Sequence, residues 1–394
     1  MQCRPGLEPE KYGLALFAER RCPVGGALSD IRFAAKDVFD LAGLVTRAGN
    51  PDWERTHERS TTNACAVDRL LEAGARLVGR TVGDELAFSL TGENAHLGTP
   101  LNIRAPGRVP GGSSSGAAAA VAGGLISVGL GTDTSGSIRI PGSYCGLFGI
   151  RPTHGRIPMT GVVPLAPSFD TVGWLSKDSV TLARVGAALL PEVMAPGFKR
   201  LLVAADAFAK VNIRVSNALA EAVSRTAKAV GSAGEAILSS DGLERWADVY
   251  TIALGAEVWA VHGAWFKAVA PKLAPNIQER VEWCSTITEA QFKKAQSTRE
   301  LIRDQIERLL GLDTVLCLPS APTIAPLRGV ADPEIRKHVL SFTCIAGLCG
   351  LPQVTIPVAD LDGCPLGLSL IAPRGRDREL LAFVATVWPP QAST

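Results

Sequence analysis

Short apolar runs alternate with segments of helical periodicity along most of the chain, and this alternation predicts an α/β layer structure with a sheet covered by helices. Asn63 is placed to cap a helix running to about Ala73, and the strand-like ARLVGRT follows from Ala75. Small residues from Ser115 to Ala122 read as a helix that leads into LISVGLGT from Leu125. Helical patterns recur over about 217–230, 244–269 and 288–310. DTVLCLPS, PQVTIPV and PLGLSLIAP then read as buried strands towards the C-terminus.

No low-complexity linker and no repeat of 20 to 50 residues interrupts the pattern, so one large domain over 1–394 is expected. With 46% hydrophobic and 20% charged residues the composition is globular. Forty basic against 38 acidic residues leave a formal charge of +2, and no Lys/Arg run makes a stripe for a phosphate backbone, which argues against nucleic acid as a partner. The start, MQCRPGLEPEKYG, has charges and prolines where a signal peptide needs an apolar run, and no later segment is apolar for the length of a membrane span. A cytoplasmic protein with no membrane partner is expected.

The nine cysteines are scattered without a CxxC pair, and the five histidines lie far apart. They read as reduced, mostly structural thiols, and no metal cluster is visible.

Candidate chemistry concentrates in two turns. VPGGSSSGAAAAVAGG, from Val109, crowds Gly and Ser into a turn before the alanine helix. A phosphate loop would need a Lys directly before its last Ser or Thr, and none is there. A G-x-S-x-G elbow fits only with Ser114 as the nucleophile, and NIRAPGRVPG upstream is a poor strand to lead into it. Taken alone, the segment is as readily a flexible surface loop. In GLGTDTSGSIRIP, however, a strand ends at Asp133 and a tight turn of Thr134, Ser135, Gly136 and Ser137 follows. Successive N–H groups of such a turn can converge on a developing oxyanion beside a serine. Upstream, IRFAAKDVFD sets Lys36 after a short apolar strand, a place where a lone lysine is ordinarily solvated.

The Lys36 context, the GGSSSG turn and GTDTSGSIRIP, with Ser113 and Ser137 24 residues apart, together resemble the amidase signature family. The resemblance is strong over about 28–178 and weaker in the C-terminal strands. GNPDWERTH, SLTGENAHLGTPLN, SYCGLFGIRPTHG and HGAWFK extend it to the plant-type indole-3-acetamide amidases. The resemblance implies a single domain with a central mixed β-sheet and helices on both faces. It divides the chain into a signature core at about 28–178, a helical substrate-pocket region at about 191–310, and C-terminal strands and a helix over 311–394. It implies no cofactor and no metal, and a small amide as substrate, with an indole- or aryl-acetamide leading. A homodimer stays open.

The resemblance also implies a Ser–Ser–Lys triad. Neutral Lys36 takes a proton from Ser113, which takes one from Ser137 as that hydroxyl attacks the amide carbonyl, and an acyl-enzyme forms. A cis peptide between Gly112 and Ser113 is part of the pattern, and the N–H groups of Thr134, Ser135, Gly136 and Ser137 would hold the oxyanion. Lys36 must lose its proton near neutral pH, which burial without a fixed carboxylate partner would promote; alternation along a strand turns Asp37 to the opposite face. Gly112 and Ser114 support the relay serine, and Asp133 and Arg139 bracket the turn and are expected to brace it as a pair. Two positions depart from the family. Ser135 stands where many members have Gly, at a cost if φ there is positive, and Ala117 stands where many have Ser.

Cys145 reads as a packed thiol near the site, and His154 as a loop residue rather than a base. The pocket walls are expected largely from 191–310, whose Trp246, Trp259, Trp265 and Phe266 suit an aromatic substrate and an ordinary core equally well. An amidotransferase subunit and an inactive scaffold are the competing readings. The chain length and the acetamidase-like blocks weigh against the first, and the complete triad against the second.

Overall fold

The computed structural model describes residues 8–22, 25–192, 197–330 and 333–390. Eleven strands form one sheet: β1 (Leu14–Arg20), β2 (Arg32–Lys36), β3 (Arg76–Thr81), β4 (Val128–Asp133), β5 (Phe148–Arg151), β6 (Thr171–Ser176), β7 (Arg200–Ala204), β8 (Ala233–Ala236), β9 (Thr314–Pro319), β10 (Gln353–Leu361) and β11 (Cys364–Ile371). Their order is β1-β3-β2-β4-β6-β5-β10-β11-β9-β7-β8. The sheet is mixed. β2 runs parallel to β3 and β4, and β7 to β8 and β9, whereas the pairs β4–β6, β5–β6, β5–β10, β10–β11 and β9–β11 are antiparallel. One sheet thus joins the two ends of the chain in a single domain.

Both faces are buried, which explains the unbroken apolar runs. Along β2, Phe33 and Ala35 pack into one core with Leu77 and Trp174, and Ala34 into a second core with Val78 and Leu175. The second core is closed by the helix Ser115–Ala122. Its small residues let it lie directly on the sheet: a Cβ at Gly116 would meet Gly13 O at 2.8 Å, and one at Gly129 would meet Ala117 Cβ at 2.9 Å.

The helices Ile213–Val230, Leu243–Val269 and Glu289–Leu310 cover the three periodic segments, the last capped by Thr288 in a box with Gln291. Asn63 does not cap. The helix is Cys65–Glu72 with Ala64 at its N-cap, and Asn63 accepts from Ala42 N at 2.8 Å and donates to Asp68 Oδ1 at 2.8 Å. The demands of the neighbouring loop took the side chain that the local pattern assigned to the helix end. No helix among the described residues is long and apolar enough to cross a membrane.

Candidate active site

Lys36 is the last residue of β2, and alternation puts it on the face of Ala34, under the helix that follows the serine turn. Its Nζ donates to Ser113 Oγ at 2.7 Å and to Thr132 Oγ1 at 3.1 Å, and Lys36 and Ser113 are both fully buried. The Gly112–Ser113 peptide is cis. Backbone bonds fix this turn on both sides: Gly111 N to Thr91 O at 3.1 Å, Gly112 N to Leu90 O at 2.8 Å, and Asp84 N to Ser113 O at 3.1 Å. Glycine is required at 112 because a Cβ there would overlap the Asp84 carboxylate. Ser114 joins the two serine turns, donating from its N–H to Ser137 O at 3.3 Å and from Oγ to Thr132 O at 3.2 Å.

The second turn is organised by Asp133. Its carboxylate accepts from Gly136 N at 3.0 Å, Ile138 N at 3.0 Å and Arg139 N at 3.3 Å. The Arg139 guanidinium donates to both of its oxygens, at 3.0 and 2.7 Å, and Arg151 lies 3.3 Å from Oδ1. All three side chains are fully buried. Burial pushes the Asp133 carboxyl up, but Arg139, Arg151 and the backbone donors outweigh it and hold the group far below the usual carboxylate range.

Two expectations about this turn are corrected. Gly136 does not offer its N–H to an oxyanion, because that donor is held by Asp133 Oδ1 inside the turn. Positive φ falls on Gly136, at 121°, and not on Ser135, so serine costs nothing in backbone conformation there. The Ser135 hydroxyl instead donates to Tyr250 Oη at 2.9 Å, and Tyr250 donates to Thr134 O at 2.8 Å. Thr134 Oγ1 donates to Asp170 Oδ1 at 2.6 Å.

Burial pulls the Lys36 ammonium down to about 8. Asp84, Asp37, Asp133 and Asp170, in that order, oppose the shift. Asp37 accepts from Gly49 N at 3.1 Å, and burial pushes it up to about 6. Lys36 therefore has hydroxyls as hydrogen-bond partners, but it is surrounded by buried carboxylates, among them Asp84.

Sequence reasoning missed Thr132, Asp84, Tyr250, Arg151 and Asp170. Thr132 and Arg151 carried a faint signal, as polar residues within the apolar strands VGLGTD and FGIR. Asp84, Tyr250 and Asp170 come from distant segments and carried none.

Cys145 is buried, its Sγ donates to Pro110 O at 3.3 Å, and burial pushes the thiol up to about 12. His154 bonds Pro167 O through Nε2 at 2.8 Å. The eight cysteines among the described residues are free thiols, and no group of three or more His, Cys, Asp or Glu there is arranged to hold a metal.

The cavity nearest the serine turn draws little of its wall from 191–310, the region expected to supply most of it. A cavity of about 470 Å³ adjoins the Ser113 turn through Leu90 and Thr91, and the helix Arg139–Cys145 through Ile140 and Tyr144. Among the described residues of 191–310, only Pro275, Asn276, Glu279 and Arg280 line it. Trp246 is buried, and Trp265 packs on Trp53 with ring centroids 5.0 Å apart, while Trp53 stacks on His57 at 3.9 Å. The segments GNPDWERTH and HGAWFK thus pack on each other, as aromatic core.

The family model for amidases matches residues 17–195 and 199–381. The chain belongs to the amidase signature family. It is 38% identical to Amidase 1 of Arabidopsis thaliana, over 91% of this chain and 92% of that protein, and 37% identical to Amidase 1 of Oryza sativa subsp. japonica, over 97% and 94%. A crystal structure of an amidase superposes with a TM-score of 0.83 at 29% identity, covering 93% of this chain and 86% of that one. The protein is accordingly an amide-hydrolysing enzyme of this family, with the family's mixed sheet.

Proposed function

We propose that this amidase hydrolyses small carboxamides to the carboxylic acid and ammonia through Ser137, Ser113 and Lys36. The observation that carries this reading is the 2.7 Å contact of Lys36 Nζ with Ser113 Oγ, in a buried setting that pulls the ammonium down to about 8. As a free amine, Lys36 accepts the Ser113 proton, Ser113 accepts that of Ser137, and Ser137 Oγ bonds to the amide carbon. The proton returns through Ser113 to the amide nitrogen, the C–N bond breaks, and ammonia leaves. Water, deprotonated along the same route, attacks the ester, releases the acid and restores Ser137. The N–H groups of Thr134, Ser135 and Ser137 are the proposed oxyanion donors, since Asp133 occupies that of Gly136.

An aryl- or indole-acetamide is the proposed substrate, supported by the similarity to Amidase 1 and by a cavity with mostly apolar walls. The proposed location is the cytoplasm.

The test is ammonia and acid release from indole-3-acetamide, phenylacetamide and glutamine, with Ser137→Ala and Lys36→Ala alongside. Release from the aryl amides, with both variants at background, supports the reading. An inert wild type, or a Ser137→Ala protein that keeps its rate, overturns it.

A further inference from the structure

We propose that Arg280 and Arg336 form an anion subsite in the cavity beside the Ser113 turn, and that the preferred amides carry a carboxylate on an apolar body. The inference rests on the amidase reading for the reaction and stands apart from it for binding.

Both guanidinia line the cavity and flank Phe88: Arg280 Nη1 donates to Phe88 O at 2.7 Å, and Arg336 lies over the Phe88 ring at 6.0 Å. Neither takes part in an ion pair among the described residues, unlike the buried Arg139 and Arg151, which share Asp133. Two carboxylates line the same cavity without pairing with them. Glu93 Oε1 is taken by Gly329 N at 2.7 Å, and Glu279 lies beside Arg280 on the helix Pro275–Ser285. Burial, and then the neighbouring Arg280, pull the Arg336 guanidinium down to about 9.

Arg280 and Arg336 are half-buried like charges, and Asp84, the carboxylate that acts on both, forms no ion pair with either, so a bound anion relieves their repulsion. A carboxylate matches the planar fork of a guanidinium and can be gripped by one or both. Leu90, Val109, Ile140, Ile335 and Val339 give the cavity an apolar wall. The cavity therefore suits a group with a hydrophobic body and an acidic end. Its position follows from the chain: Leu90 O holds Gly112 N at 2.8 Å, one residue before Ser113, so a ligand anchored on the arginines lies against the serine turn. Asp84 acts on all three cations, Lys36, Arg280 and Arg336, which places the subsite and the base in one electrostatic environment.

The experiment compares 4-carboxyphenylacetamide with phenylacetamide in the full-length protein, by kcat/KM and by calorimetric binding to Ser137→Ala. The carboxylated amide is expected to be favoured, and the ratio of the two to fall about 10- to 100-fold in Arg336→Gln and by less in Arg336→Lys. Equal handling of the two amides, or a ratio that Arg336→Gln leaves unchanged, overturns the subsite. If neither amide is hydrolysed but the Ser137→Ala protein still binds the carboxylated one more tightly, and loses that preference in Arg336→Gln, the catalytic reading fails and the anion subsite stands. Absence of any binding preference overturns the subsite whatever the rates.

Discussion

Lys36 reaches Ser113 across 77 positions of sequence, and the two side chains meet at 2.7 Å with no exposure to solvent. In the proposed mechanism Lys36 serves as a free amine, so activity is expected to follow its deprotonation. With the ammonium at about 8, kcat/KM should rise with pH through the neutral range and level off above about 8. A profile flat from pH 6 to 9 would contradict Lys36 as the base.

Asp84 is the largest of the charges that hold a proton on Lys36. Removing that charge in Asp84→Asn favours the free amine, so the rising limb should move to lower pH. Measuring the midpoint of the limb in both proteins checks the sign, and a shift to higher pH would show that Asp84 acts otherwise.

Asp133 is the only carboxylate within ion-pair distance of Arg139 and Arg151 among the described residues. Asp133→Ala leaves two buried guanidinia uncompensated and should cost about 3–5 kcal/mol, read by chemical denaturation. The sign with pH follows from its depressed folded value. The stabilisation is present above the ordinary carboxylate value of 3.8 and is lost as pH falls below it.

Tyr250 holds the Thr134–Ser137 turn through its hydroxyl, which accepts from Ser135 Oγ and donates to Thr134 O. Tyr250→Phe leaves the buried Ser135 hydroxyl without its acceptor and Thr134 O with Arg151 as its side-chain donor, with an expected loss of about 1–3 kcal/mol in stability and a fall in kcat larger than any change in KM. Denaturation and steady-state kinetics on the same preparation separate the two effects.

Cys145 lies buried close to the turn, with its thiol pushed up to about 12. Iodoacetamide should therefore leave it unmodified and activity intact in the folded protein, and mass spectrometry should find it alkylated only after unfolding.

Several features were legible in the chain itself. The alternation of apolar strands and periodic helices, the alanine helix Ser115–Ala122, and the end of β4 at Asp133 are local, because strand and helix periods and the Gly/Ser turns are written in consecutive residues. The residue types at Lys36, Ser113 and Ser137 were equally visible.

What the sequence could not determine depends on contacts between distant segments. Asn63 was drawn from the helix end by Ala42 and Asp68, and the aromatic residues of Leu243–Val269 went largely to packing. Gly136 lost its donor to Asp133, and Asp84 came beside Lys36 only when the segment before residue 90 folded under the serine turn. The sequence by itself determined the elements and the reactive residue types, since these depend on neighbours along the chain. Tertiary structure alone decided which carboxylates surround the lysine, which turn donors remain free, and that Arg280 and Arg336 share one cavity, since burial and charge are properties of neighbours in space.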